Sequence, residues 1–422
     1  MSRNRALTIT LVTLGWILAL GLIYILYEAH QDYKSSVTID KVYIEIVEGA
    51  EDGKIVTVEM VEKLLSDAQI VTTNIPLNSL SLLDVMDAIL QSEYVEQVNV
   101  NTRYNGDLII KVWPRYATAR LLLDGYDCYL NSRGYIFAVP EGSAMRTHVV
   151  TGSYKPMFTR RFSGQIDDIV EERCAKIDEA VAAINESMEP VLERHGKVQK
   201  RLNYANNRYS GQGQSEPDDV YQRRIDKLRA ENAAIRDSCS RVLRVVDRDL
   251  NALLERRRKL ERERYDLYGR REDIYHLAAF VEVLRADSFW NEEVIQINAA
   301  TGSHGEITVS LSLRSTKMKV NIGSISPRAR EVDRGRGLPL GSAEERAFDD
   351  QLRLVYDGDL VIGLTNDERA NRIDAVRRYS AEKLRDMRRV YNEILPRSGW
   401  DAYSEIALEY DGIVVCTHRR RR

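Results

Sequence analysis

The chain has 422 residues, room for two or three domains with cores of their own. A net charge of −3 and a pI near 6.2 exclude a dedicated nucleic-acid binder, which would need a concentrated basic face. Charged residues make up 30% of the chain and read as interleaved along it, as in a solvated surface with some long polar helix.

Residues 6–27, ALTITLVTLGWILALGLIYILY, carry no charge. As a helix they would span about 33 Å, enough to cross a hydrocarbon core. Arg3 and Arg5 precede the run and Glu28 and Asp32 follow it. The positive-inside rule then predicts a cytoplasmic tail over 1–5, a transmembrane helix over 6–27 and an extracytoplasmic body. YEAHQDYK offers no small-x-small cleavage site, so an anchor is expected rather than a signal peptide.

Over 37–114 the expected order is strand, helix, helix, strand, strand. VTIDKVYIEIV alternates like a strand, and VEMVEKLLSDA from Val58 has helical three- and four-residue steps. SLSLLDVMDAILQS predicts a second helix with Ser79 or Ser81 as N-cap. YVEQVNVNTRY and GDLIIKVW predict a hairpin turning at Asn105-Gly106. This order resembles the polypeptide-transport-associated (POTRA) module. Past Trp113-Pro114, short strands are expected around Arg120–Leu123 and Asp127–Leu130, followed by YIFAV and HVVTG.

Residues 165–273 look inserted. Ile166, Val170, Ile177, Val181 and Ile184 begin a heptad-like run that breaks at NYANNRYSGQGQSEP and resumes at Tyr221, Ile225 and Leu228. Two long helices folded back as an antiparallel hairpin are predicted, with Pro190 kinking or breaking the first. A second insertion, 324–366, contains SISPRAREVDRGRGLPLGS and reads as a loop. RIDAVRRYSAEKLRDMRRVYNEIL predicts a helix ending at Pro396, and 419–422 a basic tail.

The chain ends on YSEIALEYDGIVVCTHRRRR. Asp411-Gly412 is a two-residue hairpin signal between apolar-alternating runs, so 404–410 and 413–418 should pair antiparallel. A strand added last by a hairpin commonly lies at a sheet edge, where unpaired backbone groups can accept a foreign strand. The alternative is that Ile413 and Val415 fill the core and the edge is covered.

No chemistry stands out. Cys128, Cys174, Cys239 and Cys416 lack CxxC spacing and the six histidines form no ligand pattern. GxSxG, P-loop, HExxH and GxGxxG motifs are absent. No enzyme activity, cofactor, metal, nucleic acid or small-molecule substrate is expected.

The apolar N-terminal run, the POTRA-like order, Tyr129-Leu130-Asn131 with Gly134, and the VVTG at 149–152 resemble the FtsQ/DivIB family of bitopic division proteins. SFWNEEVIQI (288–297) and GWDAYSEIALEYDGIVVCTHR (399–419) are similar to that family's carboxy-terminal β domain. Two positions depart from the family pattern: Ala117 stands where a proline is usual and Asn131 where an aspartate is usual. The resemblance implies an α+β fold: a single transmembrane helix, a POTRA-like βααββ domain over 37–114, and a mixed β domain over 115–418 carrying the two insertions. It implies a non-enzymatic, inner-membrane divisome scaffold with its bulk in the periplasm, enriched at the division site. Its partners would be FtsB/FtsL-like proteins, bound through Tyr410, Asp411, Gly412, Ile413, Val414, Val415, Cys416 and Thr417. Two rivals remain: a POTRA-bearing envelope secretion or assembly factor, and a membrane-tethered cell-wall enzyme.

Overall fold

The computed structural model describes residues 15–28, 36–47, 55–140, 144–302, 305–325, 366–409 and 413–419. Residues 15–28 form a helix, α1, with every side chain exposed. At about 1.5 Å per residue α1 spans about 20 Å, short of a hydrocarbon core of about 30 Å. Among the described residues no helix is long and apolar enough to cross a membrane. This overturns the expected transmembrane helix over 6–27 and, with it, the single-pass inner-membrane placement with a cytoplasmic N-terminus and periplasmic body. The reason is length: the apolar residues 6–14 that would extend α1 lie outside the described residues. So do the tail at 1–5, residues 326–365 of the second insertion, and Arg420–Arg422.

The described fold is α+β. Its first unit comprises β1 (Val42–Ile46), α2 (Val58–Asp67), α3 (Leu82–Leu90), β2 (Val95–Thr102) and β3 (Leu108–Pro114). Thr57 caps α2 by accepting from the Met60 N–H, and Ser81 caps α3 by accepting from the Asp84 N–H. The alternation of LIIKVWP puts Leu108, Ile110 and Val112 on the buried face of β3, under Val61 and Leu65 of α2 and Val85 and Ile89 of α3. β3 is central: β1 runs parallel to it and β2 antiparallel.

The second unit is a ten-stranded mixed sheet. Its strands are β4 (Ala119–Leu123), β5 (Cys128–Leu130), β6 (Tyr135–Ala138), β7 (His148–Gly152), β8 (Gly164–Gln165), β9 (Val294–Thr301), β10 (Ile307–Leu313), β11 (Lys319–Ser324), β12 (Tyr403–Ala407) and β13 (Val415–His418). In space they lie in the order β13-β12-β11-β10-β9-β7-β4-β5-β6-β8. The parallel pairing of β7 with β9 joins two halves separated in sequence by the helical insertion. Arg115 ties the two units together: its guanidinium donates to the Glu93 and Val95 carbonyls and lies 3.5 Å from the centre of the Tyr135 ring.

The insertion is a pair of helices, α4 (Ile166–Asn207) and α5 (Asp218–Ala286). Ile225, Asn232, Cys239 and Val246 recur every seven residues along the buried side of α5, the spacing that keeps one stripe against a neighbouring helix. Asp178–Arg264 (2.7 Å), His195–Asp247 (3.4 Å) and Arg208–Glu231 (3.2 Å) cross between the helices and fix them antiparallel. Pro190 does not break α4, which runs through it without interruption. The residue is exposed, so the acceptor orphaned by its missing N–H can turn to water. The last turns of α5, with Ile274, Leu277, Phe280, Val281 and Leu284, pack into the core of the large sheet beside Trp290 of α6 (Ser288–Glu293).

After β11 the chain returns through α7 (Asn366–Arg389), a π-helical turn at Val390–Ile394 and the short α8 (Leu395–Ser398). Pro396 therefore sits in the first turn of α8 instead of ending the helix before it. An N–H is not needed there, which is why proline is tolerated. β12 then enters the sheet parallel to β11.

Candidate functional site

β13 is the terminal strand of the large sheet and pairs with β12 alone among the described strands. Their antiparallel register sets Ala407 opposite Val415, Ile406 opposite Cys416, Glu405 opposite Thr417 and Tyr403 opposite His418, with a bulge at Ser404 on β12. Two hydrogen bonds show which way the backbone of β13 faces. The Ser404 hydroxyl donates to the Thr417 carbonyl at 3.2 Å, and the Arg419 N–H donates to the Ala402 carbonyl at 2.9 Å. Thr417 and Arg419 thus point their main-chain groups at β12. Backbone groups alternate along a strand, so Val414, Cys416 and His418 aim theirs away from the sheet.

Side chains alternate in the perpendicular direction. Val414 and Cys416 are partly buried against the main core, while Ile413 and Val415 are 59% and 42% exposed and Thr417 is exposed. The alternative in which Ile413 and Val415 fill the core does not occur; the other pair does that. Burial raises the Cys416 thiol above its ordinary pKa, which leaves it a weakly reactive packing group. Tyr410, Asp411 and Gly412 lie outside the described residues.

Residues that the hairpin pattern does not single out fasten the end of the strand. His418 stacks on Tyr403 with ring centres 4.7 Å apart, and Arg419 reaches Asp401 at 3.3 Å. Only the register brings these partners together, since each pair is about fifteen residues or more apart in the chain. Between Ile413 and Thr417 no charged side chain interrupts the edge. Edge strands are usually blunted by charge, proline or a covering element, and an uncharged strand with one neighbour among the described strands is a template for strand addition.

A cavity of about 630 Å³ lies between the end of α5, α6 and α7. Phe289, Trp290 and Leu384 line it along with Asp287, Arg385 and Arg388. Two of its charged groups serve the fold. The Asp287 carboxylate caps α6 by accepting from the Phe289 and Trp290 N–H groups, and the Arg388 guanidinium lies 3.6 Å from the centre of the Phe289 ring. Ser288 also lines it, and the lining holds no histidine or cysteine.

No protein-family model matches the chain, and no curated protein is a significant match to it.

Proposed function

We propose that the protein is a non-enzymatic scaffold of the FtsQ/DivIB type. It binds an FtsB-like division protein, held with an FtsL-like one, by adding a strand of that partner to β13, and so takes part in septum assembly. One observation carries the reading: the outward backbone groups of Val414 and Cys416, on an uncharged edge strand with one neighbour among the described strands. Main-chain hydrogen bonds would supply the affinity, and the exposed side chains of Ile413, Val415 and Thr417 would set the register of the partner.

The test exploits the direction of those groups. Val414→Pro removes an N–H that faces away from β12, so the fold should survive while the partner strand loses a donor. Co-purification of an FtsB-like protein with this variant should fall about 10-fold or more, with the melting temperature kept within a few degrees. Undiminished co-purification would sink the proposal.

A further inference from the structure

The modest net charge of the chain hides an asymmetry. Residues 37–114 hold thirteen carboxylates against five basic side chains, so charge is not interleaved evenly and the remainder of the chain is net basic. The outer helical face of this unit is acidic and partly apolar. α2 exposes Glu59, Glu62 and Asp67 against one cation, Lys63. On α3, Leu83, Asp87 and Leu90 follow one another at four- and three-residue steps along one exposed face, with Asp84 beside them. Leu83 is 69% exposed in the middle of these carboxylates.

A complementary surface lies on the arm. Residues 194–201 of α4, RHGKVQKR, contain Arg194, Lys197, Lys200 and Arg201 and no carboxylate. The His195–Asp247 contact sets this stretch level with Arg241, Arg244 and Arg248 of α5. Three- and four-residue steps put Arg194, Lys197, Arg201 and Tyr204 on one face of α4, and Arg241, Val245 and Arg248 on one face of α5. Tyr204 is 61% exposed and Val245 46%, so this belt also carries apolar surface. Within the belt Lys197 pairs with Glu193, Arg241 with Asp237 and Arg248 with Asp249, so its excess positive charge rests on the remaining cations. Arg194, Lys200, Arg201 and Arg244 form no ion pair among the described residues. The belt starts about 40 Å along α4 from the sheet, at about 1.5 Å per residue. Among the described residues no hydrogen bond or ion pair joins it to α2 or α3 of its own chain.

We propose that two copies of the protein associate through these surfaces, the basic belt of one arm seating on the acidic α2–α3 face of the other. The charges are opposite in sign, and each surface carries exposed apolar side chains for the other to cover. In a two-fold dimer the same contact forms twice. The association uses none of the residues of the β13 edge and stands independently of the strand-addition reading. Being built on exposed charge, it should be weak and salt-sensitive.

Sedimentation velocity on the full-length chain tests it. A concentration-dependent dimer is expected at low salt, weakening about 10-fold or more as salt approaches 0.5 M. Lys197→Glu/Arg201→Glu on the belt and Asp84→Lys/Asp87→Lys on the face should each abolish it with helical circular dichroism unchanged, because all four positions are exposed. Mixed in equal amounts, the two variants should dimerise with each other, since the reversed belt meets the reversed face and the native pair remains intact in the reciprocal contact. A chain that stays monomeric at low salt, variants that associate like the parent, a mixture that fails to associate, or a dimer indifferent to salt would each overturn the proposal. Loss of binding to an acidic peptide by the belt variant of a monomeric chain would assign the belt to a different partner and overturn it too.

Discussion

Gly152 stands where the two halves of the large sheet meet. It pairs with Ala299 across β7 and β9 with φ at +122°, and a Cβ there would come 2.1 Å from the Ala299 carbonyl oxygen. The Asn298 side chain could yield, but the Ala299 backbone, held in the sheet, cannot do so cheaply. Gly152→Ala should therefore destabilise the protein by about 2–4 kcal/mol, measured by urea denaturation. Asn131 organises the turn between β5 and β6: its side-chain oxygen accepts from the Arg133 N–H at 2.9 Å and the Tyr135 N–H at 2.7 Å. An aspartate, the residue that the FtsQ/DivIB resemblance leads one to expect, offers the same acceptor. Asn131→Asp should thus cost less than Asn131→Ala, which leaves two donors unmet and should cost about 1–3 kcal/mol in the same assay.

His148 gives a pH dependence. Burial chiefly lowers its pKa; the Asn291 side chain, 3.1 Å from Nε2, opposes that, and the Arg285 charge adds to it. Below the unfolded-state pKa of about 6.5 the unfolded chain then binds more protons at this site than the folded one. Stability contributed here is present at neutral pH, falls as pH drops through about 6.5, and stops falling once the folded-state pKa is passed. Urea midpoints at pH values of about 7.5 and 5 should differ by less in His148→Gln than in the parent.

At the scale of elements, the arm and the last hairpin behave differently. The steps from Ile166 through Leu202 and from Tyr221 through Leu260 can be read directly because a helix seam depends on neighbours three, four and seven residues away. The consequences of Pro190 cannot, since they depend on whether the orphaned carbonyl faces water or core. Its exposed position predicts that Pro190→Ala will stabilise the arm by about 1–3 kcal/mol, measured by thermal unfolding followed at a helical signal. Asn232 is the polar member of the seven-residue stripe: it is buried and its amide donates to the Arg208 carbonyl at 3.3 Å. That bond stands beside the Arg208–Glu231 contact and holds the register of the two helices near the tip. In the hairpin, Asp411-Gly412 and the flanking alternation suggest two paired strands. Which of Val414 and Val415 turns inward follows only from the bulge and the register with β12.

Across the whole molecule, two features were out of reach of any local pattern. One is the order of the large sheet, in which β7 lies against β9 although the whole arm separates them in the chain. The other is the segregation of acidic surface on α2 and α3 from the basic belt on the arm, which becomes meaningful only when exposure is known. Periodicity, caps and turn residues act over a handful of neighbours, so the helices, most strands and the α+β class can be read from amino-acid order. The anchor read from the uncharged run at 6–27 is not borne out: among the described residues no helix is long and apolar enough to cross a membrane. The placement of β13 at the edge of the described sheet, with the backbone groups of Val414 and Cys416 turned outward and their side chains turned in, depends on contacts between residues far apart in sequence. It was decided by packing, because among the described strands β13 has a neighbour on one side only.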